Sequence, residues 1–422
     1  MGGVFMAEII YEPVPDSKLL GMVRAIGGIK DAVAIVHGKS CCHADNLLFN
    51  ILTGPQDDIR ILGSGIRSQD ISVGGKRKLT LAIRAAYEEF NPELIAVLIT
   101  SFTTLMGDDV EGVIETLKEE IPSEMCSFQC AGYIGDTSSG IREFMCFLTR
   151  YMERGSPSDG QVNLIGLMPD EPHARSDLKE IERMLKKIGL QVKCVIPGCS
   201  FKEIRCAADA TFNIVFSDEG LDLATTMEET FEIPYVMVPY PFGWRGSMEF
   251  FQKVCDALKI SFKEELLSEE REKVRRRLQE VYKYLQGIYG LPVAVVGKGM
   301  KAISLCRFLS EELGFDIELL CLNDNLSGEE GDILREIDVD ELIISRDQFE
   351  IEDAIRSRKV HLVFGSTMEK KICVDLGIPL VRVSYPVLDE ISITDRPYAG
   401  IEGVLNLTEA IINCIISQGG QV

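Results

Sequence analysis

The sequence predicts an α/β protein built from three successive parallel sheets, each covered by helices on both faces. Three observations carry this. The chain of 422 residues exceeds one ordinary core, and at about 150 residues per domain it calls for two or three. Continuous apolar runs such as AVAIVH (32–37) and LIAVLIT (94–100) have the length and pattern of strands buried on both faces. Between them lie amphipathic stretches of helical period, and this alternation is the signature of parallel sheets with crossover helices.

In order, Leu19, Leu20, Val23 and Ile26 recur at helical spacing ahead of the first strand, 32–36. A second helix is expected over 76–90, where Leu79, Ile83, Ala86 and Phe90 share a face and Asn91-Pro92 stops it. The strand 94–100 ends at Ser101, and Gly107-Asp108-Asp109 starts a helix with acidic residues where the macrodipole favours them. A short strand follows over 127–133, then a helix over 141–152. Gly155-Ser156-Pro157-Ser158-Asp159-Gly160 is the clearest linker. It sets the expected domains at 1–157, 158–290 and 291–422. Expected strands of the second unit are 162–167, 192–196, 212–216 and 235–238, with helices near 176–188 and 221–230 and a long one over 264–288. The third opens with a strand, Gly297-Lys298-Gly299 and a helix, and continues with strands at 317–322, 342–345, 360–364 and 380–383.

Composition narrows the function classes. Hydrophobic residues are 46% and charged residues 26%, as in soluble globular proteins. No apolar stretch is expected to span a bilayer and MGGVFMAEII lacks the layout of a signal peptide, so the expected location is cytoplasmic. A net charge of −22 disfavours nucleic acid as partner. The basic run Arg271, Lys273, Arg275, Arg276 and Arg277 is interleaved with Glu269, Glu270, Glu272 and Glu280 and reads as a solvated, salt-bridged helix face. Thirteen cysteines scattered through apolar segments fit buried thiols in a reducing compartment.

Chemistry concentrates where the first strand ends. His37-Gly-Lys-Ser-Cys41-Cys42-His43 puts two thiols and two imidazoles just past the carboxyl end of a parallel strand, where open α/β sheets carry their sites. These donors suit iron–sulfur, zinc or copper; the competing reading is two small buried hydrophobes. Gly297-Lys298-Gly299 starts a dinucleotide-type fingerprint with Ala302 in place of the third Gly, and Asp316 or Glu318 as the only candidate ribose anchors. Gly365-Ser366-Thr367 opens a helix whose free N–H groups either hold an anion or are simply capped.

Taken together, HGKSCCHADNLLF (37–49), SVGGKRKLTLAI (72–83), LITSFTTLMGDDVEGVI (98–114), AGYIGDTSSGIREF (131–144), PYPFGWRGSMEFFQKV (239–254), VHLVFGSTMEKKICVDLGIPLVRVSYPVLDE (360–390) and YAGIEGVLNLTEAIINCI (398–415) resemble, in order, the component 1 superfamily of nitrogenase. The nearest chains are the nitrogenase β-type and protochlorophyllide reductase B-type subunits. The resemblance implies three Rossmann-like doubly wound parallel-sheet domains around a central cleft. It implies a nitrogenase-like oxidoreductase subunit, or a scaffold for metallocofactor assembly without turnover. It further implies an interface iron–sulfur cluster, 4Fe–4S favoured, shared with a second component 1-type subunit. An ATP-dependent iron protein would donate electrons for a small molecule or tetrapyrrole in the cleft. Matched position by position, the strand-end cysteine is Cys41 or Cys42. The upstream family cysteine falls at or near Ser17, with Asp16 beside it, and the third falls at Ser101. Cys130 is an alternative ligand in the manner of α-type chains, with Cys126 nearby.

Overall fold

The computed structural model describes residues 11–39, 60–156, 159–324, 328–335 and 337–417. Thirteen strands among these form three separate parallel sheets. In the first, β1 (Ala32–His37), β2 (Ile61–Gly63), β3 (Leu94–Ile99) and β4 (Glu124–Gln129) run in the order β2-β1-β3-β4. The second has the order β6-β5-β7-β8, from β5 (Gln161–Ile165), β6 (Gln191–Ile196), β7 (Phe212–Val215) and β8 (Tyr235–Met237). The third comprises β9 (Pro292–Gly297), β10 (Asp316–Leu322), β11 (Leu342–Ile344), β12 (Leu362–Gly365) and β13 (Leu380–Arg382), ordered β11-β10-β9-β12-β13. In each sheet the first strand in sequence is internal and the chain winds outward both ways. The connections leaving the first strand and its later neighbour therefore pass to opposite faces of the sheet, which leaves a crevice for a ligand outside the strand carboxyl ends.

Both uninterrupted apolar runs are strands buried along their whole length: β1 and β3 pair in register from Ala32 with Leu94 to His37 with Ile99. Helix faces complete the core. Leu79, Ile83 and Ala86 of helix Lys76–Phe90 pack with Val33, Ile35, Ile95 and Val97. The C-terminal helix Gly400–Ser417 is long and apolar enough to cross a membrane by length and composition alone, although Glu402 and Glu409 interrupt its apolar run. Half of it is buried, and it packs on helices Ala174–Lys187, Gly243–Leu258 and Ser268–Glu280.

Several expected elements move. β4 spans Glu124–Gln129 rather than 127–133: EMCSFQ alternates because it is an edge strand, and the apolar residues after it form a loop in which Tyr133 is exposed. A short helix, Ser101–Met106, precedes the expected one and is closed by Gly107 at φ 67°. Asp109 then caps Val110–Leu117 by accepting from the Gly112 N–H at 3.0 Å. The helix expected over 141–152 is Thr137–Phe147, begun by an Asp136–Ser139 capping box. The stretch 264–288 breaks into a 3₁₀ turn and two helices, Ser268–Glu280 and Tyr282–Ile288. Its basic residues are paired as read, among them Arg275 with Glu272, Arg277 with Glu280 and Lys273 with Glu402.

Two readings of the third unit change. Asp316 and Glu318 lie at the start of β10, the end of the sheet opposite the glycine turn, so neither reaches a ribose bound there. The carboxylate that stands at the turn is Asp324, which accepts from the Gly299 N–H at 3.1 Å. At Gly365-Ser366-Thr367, the buried carboxylate of Glu369 accepts from the Ser366 N–H at 2.7 Å and the Ser366 hydroxyl at 2.8 Å. The chain supplies its own anion there, so the outside-anion reading is withdrawn.

Candidate functional site

Two regions at the strand carboxyl ends meet the requirements of a site. The first is the tip of the first sheet. Here the His37 imidazole, fully buried, is held between the Ser64 Oγ (Nδ1, 2.9 Å) and the Asp108 carboxylate (Nε2, 3.2 Å). Asp108 also accepts from the Gly75 N–H at 2.8 Å. The His37 carbonyl accepts from the Thr100 and Thr103 hydroxyls at 2.9 and 2.8 Å, tying β1 to the helix after β3. These contacts give a physical reason for the SVGG and GDD motifs. A Cβ on Gly75 would sit 2.3 Å from Asp108 Oδ2 and 2.9 Å from His37 Cε1. Gly75→Ala is expected to cost about 1–3 kcal/mol by overpacking, measured as a shift in urea midpoint.

Four further residues singled out by the resemblance, Asp16, Ser17, Ser101 and Cys130, each have a partner or packing of their own, and no hydrogen bond joins the side chain of one to that of another. Asp16 accepts from the Thr137 N–H at 2.9 Å and is paired with Arg346. Ser17 caps the helix Lys18–Gly27, its hydroxyl accepting from the Leu20 N–H at 3.2 Å. Ser101 accepts from the Gly132 N–H at 2.7 Å. Cys130 follows β4 directly, and burial pushes its thiol up to about 12, with Lys18 opposing the rise. It packs in the core with Leu20, Ile141 and Phe144. Cys126 sits inside β4 with its sulfur 3.9 Å from the Ile95 carbonyl, removed from the strand end. Cys41, Cys42 and His43 lie outside the described residues. Among the described residues no three His, Cys, Asp or Glu side chains stand together in a way that could hold a metal. As placed, Asp16, Ser17 and Ser101 hold backbone N–H groups and Cys130 is a protonated core thiol. The metal-ligand reading of these four therefore has to rest on the family match. The role of His37, Asp108 and Gly75 as the brace under the tip was not legible, because a buried histidine clamp has no local sequence signal.

The second region is a cavity of about 220 Å³ walled by all three sheets. The first contributes Asp16, Arg24 and Ser138, the second Glu171, Glu219 and Tyr240, the third Lys298, Asp324, Arg346 and Tyr385. Charge pairs cross between sheets at its wall. Arg24 holds Asp170 with two bonds, 2.6 and 2.9 Å, while its guanidinium lies 3.7 Å over the Tyr385 ring. Lys298 is paired with Glu219 and donates to the Ser138 hydroxyl at 2.8 Å. Lys301 reaches Glu171 at 3.2 Å. Burial works against the Glu219 charge, but Lys298 holds its carboxyl down at about 2. Asp324 goes the other way. Burial raises it to about 7 despite Lys298, with Glu219 and Glu330 adding to the rise. Tyr385, Asn323 and Asp218 are among the residues that line the cavity, and the Tyr385 hydroxyl, Asn323 Oδ1 and Asp218 Oδ1 are buried beneath its surface without a hydrogen-bond partner among the described residues.

The Asp324 carboxyl binds a proton more readily folded than unfolded, so the chain loses stability as pH rises from about 4 to 7. Asp324→Asn removes that loss. Its advantage over the parent in urea melts is expected to grow across this window and to level off above it.

Three doubly wound parallel sheets meeting on one cavity define a three-domain α/β protein with a central binding space. Residues 17–416 match the family model of nitrogenase component 1 type oxidoreductase, and the chain belongs to that family. The nitrogenase molybdenum–iron protein β chain of Methanococcus maripaludis is 22% identical over 97% of this chain and 95% of its own length. The B-type subunit of the light-independent protochlorophyllide reductase of Chaetosphaeridium globosum is 23% identical over 93% of this chain and 81% of its own. The solved structure "Nitrogenase Cp1 at pH 6.5" superposes with a TM-score of 0.81 at 20% identity, covering 99% of this chain and 95% of that one. The fold is therefore that of nitrogenase component 1.

Proposed function

We propose that the chain is a β-type subunit of a nitrogenase-like reductase, passing electrons from an ATP-dependent iron protein to a small molecule or tetrapyrrole in the central cavity. The observation that carries this is the cavity itself: strand carboxyl ends from three sheets enclose one space, cross-linked at its wall by the charge pairs Arg24–Asp170 and Lys298–Glu219. An iron–sulfur cluster, 4Fe–4S favoured, would be held at the tip of the first sheet by Cys41 or Cys42. Asp16, Ser17, Ser101 and Cys130 are the further candidate ligands, and a second component 1-type subunit would complete the set. When bound, the cluster supplies low-potential electrons, one at a time. The protein's own part is to fix the tip through the His37–Asp108 clamp, to exclude water from the cavity and to hold a proton at Asp324 near neutral pH.

Exposed apolar side chains support a partner at this end. Ile71, Val73, Leu105 and Tyr133 all follow strands of the first sheet and are 51–83% exposed. Large apolar groups exposed together at a functional edge mark interaction surfaces.

A scaffold that holds a metallocofactor without turnover is the second reading. It is favoured by Ser17 and Ser101, which stand where the family has cysteines and are engaged as cap and loop clamp. Reductant-dependent ATP hydrolysis and substrate reduction with the iron protein separate the two. Turnover is expected, and its absence in an iron-loaded complex would overturn the reductase reading in favour of the scaffold.

A further inference from the structure

In the second sheet, β6 runs into the loop Ile196-Pro197-Gly198-Cys199, and the loop folds back so that Cys199 Sγ lies 2.7 Å from Cys194 Sγ. Two sulfurs at that separation are inside ordinary non-bonded contact. Both residues are buried, at 2% and 5% exposure. No other cysteine pair among the described residues shows a sulfur–sulfur contact, although eleven described cysteines are free.

The loop carrying the pair is also a joint. Lys30 N–H donates to the Cys199 carbonyl at 3.2 Å, and Gly28 is packed so closely on Pro197 that a Cβ would fall 2.7 Å from the Pro197 Cβ. The Ile196 carbonyl accepts from the Gly166 N–H at 2.9 Å, at the start of the segment that leads through Met168 to Asp170, the partner of Arg24. A change in backbone at 194–199 is thus felt where the first and second sheets meet, one residue layer behind the cavity wall.

We propose that Cys194 and Cys199 are a reversible dithiol–disulfide couple, a two-electron oxidation site built into the joint between the first two sheets. Oxidation by a small-molecule disulfide such as glutathione disulfide proceeds in two exchanges. The thiolate of one cysteine attacks a glutathione sulfur, releasing one glutathione and forming a mixed disulfide. The second cysteine then attacks the protein sulfur, releasing the other glutathione and leaving the Cys194–Cys199 bond. Two thiols lose two protons and two electrons, and one glutathione disulfide becomes two glutathiones. The hydrogen bond between the two sulfurs, with burial adding to it, raises the Cys194 thiol well above its ordinary range, so the first exchange is slow and the internal second one, with the sulfurs already in contact, is faster. The exposed Cys206 has no partner sulfur among the described residues and stops at the mixed disulfide.

The test uses the full chain equilibrated over a series of reduced-to-oxidised glutathione ratios, quenched in acid, alkylated and cut with trypsin. Cleavage after Lys193 and Lys202 releases Cys194–Lys202, CVIPGCSFK, which holds both cysteines and no other. The expected result is a peptide two hydrogens lighter and unalkylated. Its fraction should rise with oxidant along a two-electron curve, return to zero with dithiothreitol, and be absent in Cys199→Ser. Hydrogen exchange at residues 28–31 should differ between the oxidised and reduced parent. Two alkylated sulfurs at every ratio, or glutathione retained on both, would overturn the couple. A disulfide that leaves exchange at 28–31 unchanged would overturn its coupling to the joint.

Discussion

Arg24→Met is expected to destabilise the folded chain by about 3–5 kcal/mol, the cost of stranding a buried charge. The Asp170 side chain is wholly buried and Arg24 is 4% exposed, so neither charge has water to fall back on. Two parallel hydrogen bonds at 2.6 and 2.9 Å satisfy the carboxylate, and the Tyr385 ring covers the guanidinium. Removing the cation leaves Asp170 with only the Glu171 carboxylate nearby. Replacing both partners with apolar residues, as in Arg24→Met with Asp170→Leu, is expected to recover most of the loss, because no orphan charge remains. Urea denaturation of the parent, both single variants and the double variant closes this cycle. A single variant within about 1 kcal/mol of the parent would contradict the assignment. The same pair joins helix Lys18–Gly27 to the loop after β5 and stands in the cavity wall, so the single variants should also weaken ligand binding there.

Asp177→Ala is expected to have a comparable effect through a different mechanism. One Asp177 oxygen accepts from the Tyr240 hydroxyl at 2.6 Å, the other from the Tyr398 and Ala399 N–H groups at 2.6 and 2.9 Å. All three donors are buried, and each left unpaired costs about 1–3 kcal/mol. Tyr398 is further fixed by stacking on His173, with ring centroids 3.6 Å apart. The lost contacts anchor the start of helix Gly400–Ser417 to the second unit, so hydrogen exchange should accelerate over 398–417 before it does elsewhere. Protection unchanged in that helix would show that Asp177 is not its anchor. Tyr240 also lines the cavity, so the substitution should loosen one wall of the site.

Much of the scaffold was legible because parallel strands buried on both faces write themselves as unbroken apolar runs. AVAIVH and LIAVLI needed no context, and the three-sheet plan followed from counting such runs. β4 was misplaced by three residues because EMCSFQ at the sheet edge alternates polar and apolar, while the apolar residues that follow belong to a loop. At the tip of the first sheet His37 was legible as the end of an unbroken apolar strand, while Cys41, Cys42 and His43 lie outside the described residues. The bracing of His37 was not: Asp108 lies 71 residues from it, and a lone aspartate at a helix start carries no mark of a distant imidazole. The cavity was less legible still, since Arg24 and Asp170 are 146 residues apart and Lys298 and Glu219 are 79 apart. Such pairs exist only once three sheets have come together. Glycine patterns left two readings open where a cap and an anion site share one signature, and at Ser366 the answer was an internal glutamate.

The account depends on thiolates at the end of β1 holding iron where two subunits meet. Its most direct test is iron content and low-temperature paramagnetic resonance of the complex purified anaerobically with its component 1-type partner. The parent should carry about one four-iron cluster per shared site, with a signal on reduction. The Cys41→Ala, Cys42→Ala double variant should keep the partner and lose both iron and signal. An iron-free parent complex, or a double variant that retains its full cluster, would contradict it.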